Sequence, residues 1–301
     1  MKQVKPNLII AGVIKGGTTS LFSYLSRHPD ICPSCVKEPR YFVSLMYDEE
    51  MAPLSEYLRY FRHYQSETYV MEASPGYFYG GATVARAIKD TLGPVKILLI
   101  FRDPVQRLLS FFTYKKSMTE LDQDLSLDEY VRACRALPVQ EFRVRKNNKY
   151  WGVRGGFYID YLQDWYEVFD DAVKVVFFDH LKESPLLLMR DICAWLEIDA
   201  SVYDKTLEWS VENKTVSYKN RILHRLAIQT NKNSERFLRA HPRFKKCIKD
   251  MYYFVNGRRH KEDFRGSTIE SLRQIYQQRN RRLLLELSKR GYTKFPSWID
   301  I

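Results

Sequence analysis

The sequence predicts an α/β fold, a P-loop-like three-layer sandwich in which a central, mainly parallel sheet is flanked by helices. Three observations carry this. Apolar runs of strand length recur at 8–14, 68–72, 95–101 and 173–178. Helical patterns separate them near 18–27, 82–91, 104–117, 126–136 and 155–169. The first run breaks into a glycine turn that opens directly onto its helix. Strands alternating with helices imply parallel pairing through right-handed crossovers. No Pro/Gly/Ser linker, charge block or internal repeat divides the 301 residues, so 1–301 reads as a single domain.

The first strand runs into Lys15-Gly16-Gly17-Thr18-Thr19-Ser20, and the helix pattern follows with Leu21, Phe22, Tyr24 and Leu25. A glycine turn at a helix start presents backbone N–H groups and the positive helix end, which favours a polyanion. Gly12 and Gly17 have the spacing of the nucleotide-triphosphate P-loop, but Thr18 stands at its lysine position and the lysine comes earlier, at Lys15. No apolar run ends in an acid placed to hold Mg²⁺, which disfavours a metal-dependent NTPase.

The strand at 95–101 ends in Arg102-Asp103-Pro104, with proline at a first helical position. In a parallel sheet, ligands bind beyond the carboxyl ends of the strands, so Lys15 and Arg102 are expected to face one crevice. Ser110, just over two helical turns on, can join Arg102 on one anion. Arg107 is expected in a surface or intrahelical pair. Further along, Ser267-Thr268-Ile269-Glu270 reads as a helix start, and Leu272, Ile275, Tyr276, Leu283, Leu284 and Leu287 carry a core-facing stripe to about Lys289.

Composition limits the function classes. The longest apolar runs are far short of a membrane span, and Met1–Asn7 lacks an apolar signal region, so a transmembrane segment is not expected. Five cysteines, at 32, 35, 134, 193 and 247, argue against a full disulfide framework. Cys32-Pro33-Ser34-Cys35 has metal or redox spacing, but no second Cys or His pair accompanies it. The expectation is no metal site, with a facultative disulfide there left open. The net charge is +12, and residues 214–249 hold eleven Lys or Arg against Glu235 alone. Arg143, Arg145, Lys146 and Lys149 add a second basic stretch opposed locally by Glu141. Such stretches suit an anionic polysaccharide, a nucleotide, an acidic membrane surface, or a plain solvated face. Aromatics at Tyr150, Trp151, Phe157, Tyr158, Trp209 and Tyr218 interleave them and offer stacking surfaces.

The Lys15 turn, Lys37-Glu38-Pro39-Arg40-Tyr41-Phe42, Glu72-Ala73-Ser74-Pro75-Gly76-Tyr77-Phe78, and Arg102-Asp103-Pro104 with Ser110 together resemble sulfotransferases that use 3′-phosphoadenosine 5′-phosphosulfate (PAPS), most closely the heparan-sulfate and bacterial branch. The resemblance continues through Gly156-Phe157-Tyr158 and Asn213-Lys214-Thr215 to Gly257-Arg258-Arg259, most of the chain. It implies that Lys15 and the N–H groups of Gly16, Gly17, Thr18, Thr19 and Ser20 bind the 5′-phosphosulfate, and that Arg102 and Ser110 bind the 3′-phosphate. Tyr158, Arg258 and Arg259 are implied as further donor contacts. Glu38 falls at the position of the general base, PAP (3′,5′-adenosine bisphosphate) is the implied product, and no metal is required. The implied acceptor is a hydroxyl or amine of a carbohydrate or small molecule. Where heparan 3-O-sulfotransferases carry a lysine after the second glutamate, this chain has Ala73, so either another cation substitutes or the acceptor is oriented differently. Glu72 is then a second acid near the acceptor or a partner of Arg40, and His28 caps a helix end. A cytoplasmic location is expected for the chain as it stands, or a Golgi luminal one if an anchor has been removed. The alternatives are a P-loop nucleotide kinase or other phosphotransferase, and a basic nucleic-acid-binding protein. The second would account for the charge but not for a cation at the end of each of two buried strands, so no nucleic-acid partner is expected.

Overall fold

The computed structural model describes residues 4–204 and 266–300, with 209, 217–218, 230, 248, 252, 257–258 and 264 between them. The basic stretch 214–249 therefore lies almost wholly outside the described residues, as do Asn213-Lys214-Thr215 and Arg259. Five parallel strands form the central sheet: β1 Leu8–Gly12, β2 Ile31–Pro33, β3 Tyr69–Ala73, β4 Lys96–Phe101 and β5 Val173–Phe177, in the order β2-β3-β1-β4-β5. Four of these are the strands read from the apolar runs. The edge strand β2 is only three residues long and left no periodic signal. Ser217–Tyr218 pairs antiparallel with Gly257–Arg258 in a separate two-stranded ladder.

Helices α1 Thr18–Leu25, α2 Leu54–Leu58, α3 Gly81–Leu92, α4 Pro104–Ser117, α5 Leu127–Ala136, α6 Tyr158–Phe169, α7 Phe178–Glu183, α8 Pro185–Leu196 and α9 Gly266–Lys289 surround the sheet. The strand pleat sorts the core into two layers. Ile9 and Ala11 of β1, with Ile97, Leu99 and Phe101 of β4, face the layer holding Val84, Ile88, Leu162 and Trp165 of α3 and α6. Leu8 and Ile10, with Leu98 and Ile100, face the layer holding Leu21 and Leu25 of α1 and Met189 and Ile192 of α8. Because both faces are covered, these strands read as continuous apolar runs rather than alternating ones. A third cluster joins α4, α5 and the first half of α9 through Leu108, Phe112, Tyr130, Leu272 and Tyr276, so the stripe on α9 is core, as expected.

Local chemistry sets the ends of the elements that matter most. Asp103 caps α4 by accepting from Val105 N–H at 2.8 Å, with Pro104 as the first helical residue. Ser126 and Glu129 close a capping box on α5. Among the described residues, no helix is long and apolar enough to cross a membrane.

Trp165 is fully buried beneath the sheet, and its indole N–H donates to the Phe78 carbonyl at 3.0 Å. Trp165→Ala is expected to lower unfolding free energy by about 3–5 kcal/mol, through lost burial and the cavity left behind. Urea denaturation monitored by far-UV circular dichroism checks it.

Candidate functional site

The register of the sheet places the ends of β1, β3 and β4 side by side, with Leu8 opposite both Met71 and Lys96. Lys15 follows β1, Ser74 follows β3 and Arg102 follows β4, so all three emerge at the carboxyl edge. There they border a cavity of about 540 Å³ lined by Lys15, Gly17, Thr18, Thr19 and Ser20 on one side and by Arg102 and Ser110 on the other. Glu38 and Arg40 line it as well. A volume of this size is in the range of cofactor and ligand clefts.

The glycines make the turn possible. A Cβ on Gly16 would stand 2.5 Å from the Ile100 carbonyl oxygen, so only glycine lets the loop lie flat against β4. Gly17, at φ 105°, begins α1, and a Cβ there would meet the Phe178 ring at 2.5 Å. Gly16 itself does not line the cavity; its N–H donates to Val13 O at 2.9 Å and closes the turn. Lys15 has φ 67°, a conformation that non-glycine residues adopt at a cost. Its ammonium sits 4.8 Å over the Tyr114 ring. Burial first, and then the nearby Arg102 charge, lower its pKa to about 8.

Arg102 donates to the Lys15 carbonyl at 3.3 Å and lies 4.7 Å over the Phe178 ring. Burial lowers its pKa as well. Among the described residues, neither Lys15 nor Arg102 has a carboxylate within ion-pair distance. Two desolvated cations so close together suit a doubly anionic ligand.

Glu38 sits across the cleft on the loop between β2 and β3. Its backbone N–H donates to Ala73 O at 3.0 Å. One carboxylate oxygen accepts from Lys37 Nζ at 2.8 Å, and the other accepts from Arg40 Nε at 3.0 Å and Nη2 at 2.5 Å. Burial works to raise the Glu38 pKa, but the two cations outweigh it and hold it at about 2. Behind the loop, Glu72 is completely buried and accepts from Tyr57 O–H and Ser74 O–H, each at 2.7 Å. The same Ser74 oxygen accepts from Arg40 N–H at 3.0 Å. Glu72 thus reaches Arg40 through Ser74 and the backbone, not through the guanidinium.

The remaining positions singled out in the sequence fall elsewhere. Tyr158 is buried behind the cleft, its hydroxyl donating to the Arg102 carbonyl at 2.7 Å and its ring stacked on Phe101 at 4.4 Å. It braces Arg102 and does not line the cavity. Arg258 is described only by its backbone pairing with Ser217. Arg107, expected in a surface or intrahelical pair, is 1% exposed and donates to the Gly152 carbonyl. Helix α4 turns that face toward α9 and the 150–156 segment, away from solvent. Cys32, Cys35, Cys134 and Cys193 are free thiols, and among the described residues no His, Cys, Asp or Glu group is placed to hold a metal. His28 is buried just past α1, with Nδ1 accepting from Asp30 N–H and Nε2 close to the Asp199 carbonyl, so its ring ties down the following loop and does not cap the helix carbonyls.

Sequence reading singled out Arg145 and Trp151 only as part of a basic, aromatic stretch, and did not place them, or Tyr114 and Lys115 of α4, on the far wall of the cleft. Lys115 pairs with Glu120 at 2.6 Å and Arg145 pairs side-on with Glu49. Glu49 lies 96 residues before Arg145, beyond any local pattern.

A profile of the family described as "Sulfotransferase domain" matches residues 5–283. Bifunctional heparan sulfate N-deacetylase/N-sulfotransferase 1 of Caenorhabditis briggsae is 22% identical over 216 residues, 69% of this chain and 24% of that protein. Heparan sulfate glucosamine 3-O-sulfotransferase 5 of Mus musculus is 29% identical over 188 residues, covering 61% and 51%. These matches span about a quarter to a half of the relatives' own length. The sulfotransferase structure from Alicyclobacillus acidocaldarius superposes with a TM-score of 0.60 at 25% identity, over 78% of this chain and 95% of that one.

The buried Glu72 gives stability a pH dependence. Burial raises its pKa from 4.5 to about 7 against the opposing bonds from Tyr57, Ser74 and Tyr77, with Glu38 adding to the rise. A raised carboxyl pKa means that the folded chain holds a proton the unfolded chain has lost. The contribution is therefore complete below pH 4.5 and disappears as pH rises through 7. The stability difference between wild type and Glu72→Gln is expected to change across that window by up to roughly 3 kcal/mol, wild type losing ground as pH rises. Urea titrations at intervals from pH 4.5 to 8 read it.

Proposed function

The chain belongs to the sulfotransferase domain family, and from that premise we propose that it moves a sulfuryl group from PAPS to a hydroxyl or amine of a carbohydrate or small-molecule acceptor, within a single domain. One observation carries the donor assignment: Lys15 and Arg102, desolvated and without carboxylate partners among the described residues, flank a glycine turn and helix start on one cleft. A nucleotide with a 5′-phosphosulfate and a 3′-phosphate fits this arrangement. Lys15 and the turn from Gly17 to Ser20 would hold the first group, and Arg102 with Ser110 the second. The missing Cβ atoms let the turn pack closely, Gly16 against the Ile100 carbonyl and Gly17 against the Phe178 ring, which shapes this wall of the cleft.

The chemistry is an in-line displacement at sulfur. A bond forms from the acceptor oxygen to sulfur while the bond from sulfur to the bridging phosphate oxygen breaks, and that electron pair leaves with the bisphosphate. Negative charge grows on the bridging oxygen, where Lys15 and the aligned N–H groups stabilise it. Glu38 takes the acceptor proton as general base. Tyr158 supports the site indirectly by holding the Arg102 carbonyl.

Calorimetric titration with 3′,5′-adenosine bisphosphate tests the donor site, with ATP and Mg²⁺ as comparison. Lys15→Ala and Arg102→Ala are each expected to weaken bisphosphate binding by on the order of 10- to 100-fold, the range for a charge-assisted contact. Preferential binding of ATP·Mg²⁺ would return the cleft to the phosphotransferases.

Because the free Lys15 titrates near 8, a bound anion that raises its pKa must draw in a proton. Near pH 8.5, binding enthalpies in two buffers of different ionisation heat should reveal proton uptake in the wild type and none in Lys15→Ala. Glu38→Gln is expected to lower turnover by roughly 10²–10⁴-fold while leaving bisphosphate affinity nearly intact. Full activity in that variant would remove Glu38 as the base.

A further inference from the structure

The candidate base is fully engaged. Both oxygens of Glu38 accept from cations, Oε1 from Lys37 and Oε2 side-on from the Nε and Nη2 of Arg40. A carboxylate held this way is a weak proton acceptor. The charged and titratable groups around it are Lys15, Lys37 and Arg40, with Glu72 and Tyr114 on the neighbouring elements.

The two partners differ in their exposure. The Lys37 side chain is 21% exposed, whereas that of Arg40 is 58% exposed and lies along the open cavity. The backbone of Arg40 is anchored apart from its guanidinium, through its N–H to the Ser74 hydroxyl oxygen. Lys115 and Arg145 also line the cavity, but their acids, Glu120 and Glu49, are not the candidate base. Of these three pairs, only the opening of Arg40–Glu38 would release the candidate base.

We propose that Arg40 is an exchange residue: an acceptor carrying a carboxylate beside its reactive hydroxyl draws the Arg40 guanidinium off Glu38, so that seating the acceptor frees the base. This rests on the sulfuryl-transfer reading. A guanidinium edge that already grips one carboxylate side-on is matched to another planar carboxylate and poorly matched to a neutral hydroxyl. Before the exchange, water in the cleft has no free base to receive its proton. The pairing therefore restrains donor hydrolysis, in which water oxygen bonds to sulfur, the bisphosphate leaves with the bridging electron pair, and Glu38 accepts the water proton.

Two readouts test this with the full chain. In the absence of acceptor, Arg40→Ala is expected to hydrolyse PAPS on the order of tenfold faster than wild type or more, with Arg40→Lys in between. An unchanged or slower rate in Arg40→Ala, with bisphosphate affinity retained, overturns the proposal. The second readout is the ¹³C signal of the Glu38 carboxylate at pH 7, assigned by its loss in Glu38→Gln, with the bisphosphate present. Sodium glucuronate is expected to move this signal in wild type toward its position in Arg40→Ala, whereas glucose leaves it in place. If glucuronate and glucose act alike while the bisphosphate binds, the exchange is refuted. If the bisphosphate does not bind yet glucuronate still shifts Glu38, the donor reading fails and the exchange stands.

Discussion

The cleft depends on the parallel pairing of β1 with β4. That pairing brings the ends of two strands from distant parts of the sequence into adjacent positions, and each strand ends in a cation that burial strips of water. The mutual repulsion of Lys15 and Arg102 is supported by everything around them: the Tyr114 and Phe178 rings, the Lys15 carbonyl under Arg102, and Tyr158 behind it. The sheet core resists any relaxation that would separate the two charges, because all of β1 and all of β4 beyond Lys96 are buried. An anion is the one partner that such an arrangement lacks.

The other wall is governed by β3. The loop carrying Glu38 and Arg40 is tied to the end of this strand by two backbone anchors, Glu38 N–H on Ala73 O and Arg40 N–H on Ser74 Oγ. Both residues have positive φ, at 63° and 59°. The loop can hold that geometry because the buried Glu72 fixes the Ser74 hydroxyl from behind. A carboxylate with no exposure, far up its pKa range, therefore orients a carboxylate at the cleft that is held far down its own. The two nearby carboxyl groups are displaced in opposite directions because burial outweighs the hydroxyl partners of Glu72, whereas the Lys37 and Arg40 cations outweigh burial at Glu38.

Charge read along the chain gave a different picture from charge read in space. The run from Arg143 to Lys149 has only Glu141 nearby in sequence, yet Arg143 meets Asp48 and Arg145 meets Glu49 across the cleft mouth. Arg107, expected in a surface or intrahelical pair, is enclosed by Tyr79, Tyr130, Tyr158 and Tyr276 with no carboxylate beside it among the described residues. Local composition reports how many charges a segment carries and is silent on which of them folding will match.

The sequence by itself determined the layered α/β order, four of the five central strands, the span of α4 and the core stripe of α9. It also determined the two cation-bearing turns, because strand length, apolar continuity, glycine, proline and capping residues act within a few residues of one another. It did not reveal β2, too short for a period, or α7 and α8. Only the tertiary structure decided that Gly16 serves packing against Ile100 while Gly17 borders the cleft, that Tyr158 braces Arg102 from behind, and that Glu38 is clasped by Lys37 and Arg40. It also assigned Glu72 to Ser74 and Tyr57, and brought Lys115, Arg145 and Trp151 to the far wall. The physical reason is range: propensity and capping are local, whereas desolvation, ion pairing and the direction of a side chain depend on which distant segments the sheet register brings together.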